Sequence, residues 1–425
     1  LESLEFPQMY HRQLVIRSPC KGTGNWLSQD PGYQAWLNGD HRFLWVKGSA
    51  GSGKSTLMKH TLEELLQNTD TSAVTIASFF YDASGQALEK SSRGLLQSVL
   101  YQIFTQNGQL LRDFMIASDS RFVKGRNLEW QIEELMGVLE ISSKLPTWRP
   151  TVLLLDGLDE GSVDEVRLLL QFFRLQVCPD DSHKPFSKFK VCLSSRHYPN
   201  IYIDNCPEIW VERKNHADIE TFTYQKLAHM SNAPNNEDMI QSILSRADGI
   251  FLWVDLVTSS ILEADDNGET LDERLEALYD TPRELDGLFT QIFLKLGPIE
   301  RRDTYDMLSW MLFATRRLSS LELCFAMQFS RNNSIVTFDA WKRSQQFINK
   351  GPQTERFIRS RSRGLLTIEK SLQKGEPDRV QFIHQTVPGF LLQKGLAILQ
   401  SSYYPVYLPG LGNHFMALTC MRYLS

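Results

Sequence analysis

Apolar and polar positions follow two different periods along the chain, and the change from one to the other divides it. Runs of apolar or β-branched residues at 43–47 (FLWVK), 73–81 (AVTIASFFY), 151–155 (TVLLL), 189–194 (FKVCLS) and 208–212 (EIWVE) have strand length. Between them, stretches such as TLMKHTLEELLQN and SSRGLLQSVLYQIFTQ repeat apolar residues at i, i+3, i+4 and i+7, the spacing of one helix face. Strands that are apolar throughout and alternate with helices predict a parallel sheet covered on both faces. From about residue 216 the strand-like runs stop. ADIETFTYQKL, NEDMIQSILSRA, FLWVDLVTSSIL and PRELDGLFTQIFLKL read as successive amphipathic helices. RRDTYDMLSWMLFA and SSLELCFAMQF follow, with Ser319 and Glu322 at capping-box spacing. GLLTIEK and DRVQFIHQTV then predict a hairpin around the polar SLQKGEP. Helices followed by a hairpin suggest a winged-helix unit.

The expected organisation is a helical or linker segment at 1–39 and an α/β nucleotide-binding domain at 40–215. An all-α domain at 216–297, a winged-helix domain at 298–393 and the start of a further helical segment at 394–425 complete it. A chain of 425 residues exceeds one ordinary core. Its 42% hydrophobic and 22% charged residues describe a globular protein. A formal charge of −5 gives no general attraction to nucleic acid or anionic lipid. The 6 cysteines are scattered without CxxC spacing, which argues against a disulfide framework or zinc site and fits a reducing compartment. LESLEFPQMYHRQ lacks the apolar run of a secretory signal. GIFLWVDLVTSSIL is interrupted by Asp255 and is too short to span a bilayer. A cytoplasmic protein without a membrane span is expected.

Chemistry enters at Gly48-Ser49-Ala50-Gly51-Ser52-Gly53-Lys54-Ser55, followed by Thr56. The pattern G-x-x-x-x-G-K-[ST] stands between a strand and a helix, the context a phosphate loop requires. Glycines let the backbone curl so that successive amides point inward, and the helix start adds its positive end. Lys54 would reach the β- and γ-phosphates, and Ser55 would ligate Mg²⁺. TVLLLDGLDEG puts Asp156 at the end of a buried strand, where an ionised carboxylate needs a cation. A magnesium ion on the nucleotide supplies it. Asp159 and Glu160 follow closely enough to orient or deprotonate a water. The bland alternative is that they cap the next helix, for which Ser162 and Glu165 are also available.

In order along the chain, GTGNWLSQDPGYQAWL, FLWVKGSAGSGKSTLMK, VLLLDGLDE, KVCLSSRHYPNI, ADGIFLWVDLV, LYDTPRELDGLF and VQFIHQTVPGFLL resemble the NACHT module of STAND-class signalling NTPases. Within that class they look most like fungal NOD-like receptors of the heterokaryon-incompatibility type. The resemblance implies that Arg196 is a sensor near the γ-phosphate, that Pro282 packs on the base, and that His384 of the winged helix touches the β-phosphate in a closed form. It implies a lesser role for Thr23 near the nucleotide, while Trp26 and Trp36 read as core. Pro282 also reads as N1 of a helix capped by Thr281, with Glu284 at N3. Pro388 and Gly389 stand where related sequences often carry charges, so the segment after His384 is expected to bend.

The resemblance further implies ADP held in a closed form, and exchange for ATP with homo-oligomerisation. It also implies slow Mg-dependent hydrolysis, and sensor and effector domains or proteins as partners. The expected setting is fungal innate immunity or programmed cell death. No NKxD-type guanine reader is present, so the base preference is open, with ATP the default from the resemblance and GTP or GDP as alternatives. Rival readings are a P-loop enzyme with fast turnover, such as a mechanochemical ATPase, and a nucleotide-binding scaffold without catalysis. Arg356, Arg359, Arg361 and Arg363 form a basic cluster, but the acidic overall balance favours a solvated face or subunit contact over nucleic acid.

Overall fold

The computed structural model describes residues 1–118, 129–177, 189–197, 203–228, 230, 236–331, 338–344, 347–348, 351–369 and 377–400. The helical segment expected at 394–425 lies outside the described residues beyond residue 400. The chain forms two compact units, Leu1–Val254 and Asp255–Ser425.

In the first unit all five expected strands are present. They are β1 (Phe43–Lys47), β2 (Thr75–Phe80), β3 (Thr151–Asp156), β4 (Phe189–Ser195) and β5 (Glu208–Trp210). They pair in parallel in the order β2-β3-β4-β1-β5. The helices are α1 (His11–Val15), α2 (Pro31–Asn38), α3 (Lys54–Asn68), α4 (Ser92–Gln106), α5 (Gly108–Ala117), α6 (Ile132–Ser143), α7 (Val163–Val177), α8 (His216–Leu227), α9 (Glu237–Arg246) and the first turn of α10 (Phe251–Asp266).

Every residue of β1 and β2 is buried. Successive side chains of a strand point to opposite faces, and here they enter two separate cores. Phe43, Trp45, Ala77, Phe79, Leu153, Leu155, Val191 and Leu193 pack on one face with α4, α6 and α7. Leu44, Val46, Ile76, Phe80, Leu154 and Cys192 pack on the other with α2 and α3. The segment before β1 joins both: Leu4, Phe6 and Met9 enter the first core, and Ile16, Tyr33 and Trp36 the second. Asp30 starts α2 by accepting from the amides of Gly32 (2.8 Å) and Tyr33 (3.3 Å), with Pro31 at the first helical position.

One consequence of the strand order matters for chemistry. β4 lies between β1 and β3, so its tail separates the loop after β1 from the acidic end of β3. Lys47 stands level with Ser195, and Asp156 with Phe80. Ligands of open parallel sheets bind beyond such carboxyl ends.

The second unit contains the rest of α10, then α11 (Leu271–Tyr279), α12 (Leu285–Leu294), α13 (Pro298–Phe313), α14 (Ser320–Arg331), α15 (Phe338–Arg343) and α16 (Pro352–Arg361). The antiparallel hairpin β6 (Leu366–Glu369) and β7 (Arg379–Phe382) follows, in register Leu366 to Phe382 and Glu369 to Arg379. Helices α17 (Thr386–Phe390) and α18 (Leu396–Gln400) come after it. The expected capping box opens α14: Ser319 N–H donates to Glu322 (2.8 Å), and Glu322 N–H to Ser319 Oγ (3.2 Å).

The helix start expected at Thr281 is displaced. α12 begins at Leu285 with Glu284 as N-cap. Thr281 Oγ1 turns back to donate to the Ala277 carbonyl at 2.8 Å, so its hydroxyl closes α11 instead of opening α12. After His384, a π-helical turn at Leu391–Gly395 joins α17 to α18. Pro388 sits in the first turn of α17, where its missing N–H costs no helical bond. The basic cluster is partly internal. Arg361 donates to Asp303 at 2.5 Å and Arg363 pairs with Glu300, whereas Arg356 and Arg359 are exposed.

Candidate functional site

Strand β1 runs into a loop that only glycine-rich sequence can follow. Gly51 and Gly53 adopt φ of 78° and 97°, left-handed values that disfavour a side chain. A Cβ on Gly51 would stand 2.8 Å from Cβ of Leu252. Gly53 is the N-cap of α3, so Lys54, Ser55 and Thr56 open the helix and its unbonded amides face the loop.

Lys54 folds back over this loop and donates to the carbonyls of Gly48 (2.8 Å) and Ser49 (2.9 Å). Burial pushes its ammonium below the ordinary value, and the carboxylates of Asp159 and Asp156 oppose that shift. The outer side of the loop is braced by groups far along the chain. Glu212 accepts the Ser49 amide at 3.3 Å and pairs through its other oxygen with His197 Nε2 at 2.6 Å. Asn215 Nδ2 donates to the carbonyls of Ser52 (3.1 Å) and Gly249 (2.8 Å), and the Leu252 amide donates to Gly51 at 3.1 Å.

Asp156 ends β3 with 1% of its surface exposed. Ser194 Oγ donates to Oδ1 and in turn accepts the Gly157 amide at 3.1 Å. Oδ2 is buried without a hydrogen-bond partner among the described residues. Burial raises the carboxyl's pKa, while the Ser194 and Ser55 hydroxyls and the charges of Arg12 and Lys54 favour its ionised form. A buried carboxylate oxygen with open lone pairs beside a serine hydroxyl is a hard-oxygen donor set. It fits Mg²⁺, which takes one or two protein oxygens and keeps the rest of its shell for phosphate and water.

Asp159 and Glu160, on a single 3₁₀ turn at Leu158–Glu160, diverge. Asp159 turns toward β4 and engages Arg196 twice, accepting its amide (3.0 Å) and its Nε (3.0 Å). Glu160 turns toward β2 and accepts the Ala83 amide at 2.9 Å. Burial pushes Glu160 up to about 8; Arg12 is the strongest influence against it, and Asp156 adds to the rise. Glu165 also looks elsewhere, accepting the Ser92 amide at 3.0 Å at the start of α4.

The GTGNW segment is held by α8. Asp218 Oδ2 accepts both the Gly24 amide (2.9 Å) and the Trp26 indole N–H (3.0 Å). Thr23 is buried and donates to the Cys20 carbonyl at 2.8 Å. Trp36 is fully buried and Trp26 packs against the same core.

The two remaining candidates belong to the second unit. Pro282 packs over the first turn of α12, where a Cβ on Gly287 would come within 2.7 Å of its Cβ. His384 follows β7, and its Nδ1 accepts the Thr386 amide at 3.2 Å and lies 2.9 Å from Thr386 Oγ1. That assignment leaves the neutral ring's proton on Nε2. The second unit also has a half-open pocket of about 260 Å³ among α10, α11 and α12, beside Leu256, Ile261, Arg274, Leu288 and Lys295. It lacks a glycine-rich loop, and no sequence motif points to it apart from Thr281 at its edge.

The first unit thus gathers Lys54, Ser55, Asp156, Asp159, Glu160 and Arg196 at the carboxyl end of one sheet. Sequence reasoning missed Arg12, Ser194, Glu212, Asn215 and Asp218. Ser194 carried a signal, the hydroxyl preceding Ser195 and Arg196 at a strand end. The others come from segments whose proximity only the fold reveals.

Residues 22–196 match the family described as Nephrocystin 3, N-terminal. The vegetative incompatibility protein HET-E-1 of Podospora anserina is 24% identical over 315 residues, which cover 70% of this chain and 22% of that protein. The chain therefore spans about a fifth of the length of the curated relative it matches. Among solved structures, the signal transduction ATPase with numerous domains (STAND) and a tetratricopeptide repeat sensor from Pyrococcus horikoshii aligns over 97% of this chain and 48% of its own. Its identity is 12% and the TM-score 0.43. The ORC2 protein of Aeropyrum pernix in its ADP form aligns over 92% and 98%, at 12% identity and a TM-score of 0.38. Among the described residues no helix is long and apolar enough to cross a membrane.

Proposed function

We propose that this chain, which resembles the NACHT domain of STAND-class NTPases of the fungal incompatibility type, is a nucleotide-operated switch with slow hydrolysis. The observation that carries this reading is the unpartnered Oδ2 of Asp156, buried beside Ser55 at the foot of a glycine loop. A buried strand end that leaves one carboxylate oxygen without a bond is costly unless a cation completes it.

In this reading the loop amides from Gly51 to Thr56 cradle the phosphates. Lys54 exchanges the Gly48 and Ser49 carbonyls for β- and γ-phosphate oxygens. Ser55 and Asp156 hold Mg²⁺, which neutralises phosphate charge. Glu160 takes a proton from the attacking water, for which its raised pKa is suited. Arg196 leaves Asp159 for the γ-phosphate, so that its partner depends on how many phosphates are bound. Pro282 and His384 contact the base and β-phosphate of a bound diphosphate, with Nε2–H of His384 as donor. A ligand that meets different groups in two arrangements shifts the balance between them. The partners are then nucleotide, further copies of the chain, and sensor and effector domains or proteins; the setting is cytoplasmic signalling in fungal immunity or cell death. The purine nucleotide is ATP or ADP by default, with GTP and GDP as alternatives.

A substitution in the second unit tests this. His384→Leu should release ADP about tenfold faster or more, the worth of one charge-assisted bond of ~1.5–3 kcal/mol, and should shift the protein toward oligomers in light scattering. Unchanged ADP retention with a monomeric protein would remove the histidine from the account.

A further inference from the structure

One cation near the acidic end of β3 has no counterpart in the sequence motifs. Helix α1 packs on β2, and its flanks fix where it lies. Met9, on one side of Arg12, enters the core that holds Tyr81 and Leu158, the neighbours of Asp156 and Glu160. Ile16, on the other side, enters the core that holds Leu57 and Met58 of α3. Lys59 Nζ ties the Ile16 carbonyl to α3 at 2.6 Å. The turn that carries Arg12 therefore lies against β2 and is tied to α3, the helix that starts at the phosphate loop.

Its guanidinium Nε is enclosed, with no hydrogen-bond partner among the described residues. Its charge acts on two carboxylates at once. It favours the ionised form of the buried Glu160 and of Asp156.

From this placement we infer that Arg12 is a further residue of the nucleotide site, supplied by the segment before β1, and that it contacts the third phosphate. The inference rests on the nucleotide-binding reading above. The chemistry suits it. A triphosphate brings extra negative charge to a region already lined by Asp156, Asp159 and Glu160, and a planar guanidinium can meet two phosphate oxygens together. In this arrangement Lys54 would meet the β- and γ-phosphates, Arg196 would come from the end of β4, and Arg12 would come from the side of β2. The segment before β1 then takes part in sensing the third phosphate.

The test is isothermal titration of the nucleotide-free chain with Mg-ADP and with a non-hydrolysable Mg-triphosphate, for the parent, Arg12→Ala and Arg12→Lys. Circular dichroism checks that each is folded. Arg12→Ala should bind ADP as the parent does, within about threefold, and bind the triphosphate about tenfold or more weakly, as expected for one lost charge-assisted contact. Hydrolysis should fall by about 10³-fold, the lower end of what an arginine at the transferring phosphoryl group contributes. Arg12→Lys, folded by its retained stem and charge, should recover part of the triphosphate affinity. Equal weakening of both nucleotides in Arg12→Ala, or in Arg12→Lys should the alanine variant not fold, would make Arg12 structural and overturn the inference. So would parental affinity for both. If Lys54→Ala loses nucleotide while Arg12→Ala matches the parent, only this inference falls. If the parent binds neither nucleotide, the functional reading falls with it.

Discussion

Lys54→Ala protein should lose its nucleotide. Lys54 is buried and donates two bonds to its own loop, so its ammonium is already desolvated and positioned before a phosphate arrives. Each bond from that ammonium to a phosphate oxygen is worth ~1.5–3 kcal/mol, and two of them amount to an affinity loss on the order of a hundredfold or more. Truncation also leaves the Gly48 and Ser49 carbonyls without their donor in the free protein, so some loop disorder accompanies the loss. Titration with Mg-ADP and a triphosphate analogue measures it directly. Parental affinity in a folded Lys54→Ala protein would mean that the loop serves a purpose other than phosphate binding.

The second large effect is expected at Glu160, and it has two readouts. As the base, Glu160→Gln should slow hydrolysis by about 10²–10⁴-fold, the usual contribution of general base catalysis, with nucleotide affinity nearly unchanged. The pH profile should follow. With the carboxyl pushed up to about 8 by burial, the ionised fraction and the rate climb about tenfold per pH unit below that point and level off above it.

The same shift has a consequence for stability with the opposite sign. Between the usual carboxylate range and about 8 the folded chain keeps a proton that the unfolded chain has given up. Stability present at low pH is therefore lost as pH rises through that window. Glu160→Gln removes this liability, so it should melt higher than the parent at pH 8 and above, without nucleotide. A flat pH–rate profile in the parent, with full activity in Glu160→Gln, would assign the base elsewhere, and Asp159 would be the next residue to test.

Much of the first unit was legible because its strands are mostly apolar or β-branched, and β1 and β2 are buried at every residue. β1 and β2 show no alternation since both faces are covered, and such runs stand out between turn residues. The phosphate loop was legible for a different reason: backbone geometry dictates its glycines, and the dictate survives as letters. Strand order was not legible. Nothing in TVLLLD or FKVCLSS says that β4 separates β1 from β3, yet that order lets Ser194 reach Asp156 and Arg196 reach Asp159.

Misplaced expectations share one cause. Thr281 and Glu284 have the spacing of a capping box, but Thr281 finds a nearer acceptor in Ala277. Glu165 likewise turns from its own helix to the Ser92 amide. Short polar side chains have several acceptors or donors within reach, and tertiary packing chooses among them. Arg12 was invisible for the plainest reason. A lone arginine in YHRQL carries no pattern, and only the packing of Met9 and Ile16 into two cores shows where it lies.

The functional account stands on phosphate count governing arrangement, and the most direct measurement is molar mass in solution. Nucleotide-free chain would be loaded with Mg-ADP or with a non-hydrolysable Mg-triphosphate and compared by multi-angle light scattering at equal concentration. A monomer with the diphosphate and a defined oligomer with the triphosphate is the predicted result. Identical mass with both nucleotides, at saturating occupancy of each, would contradict it.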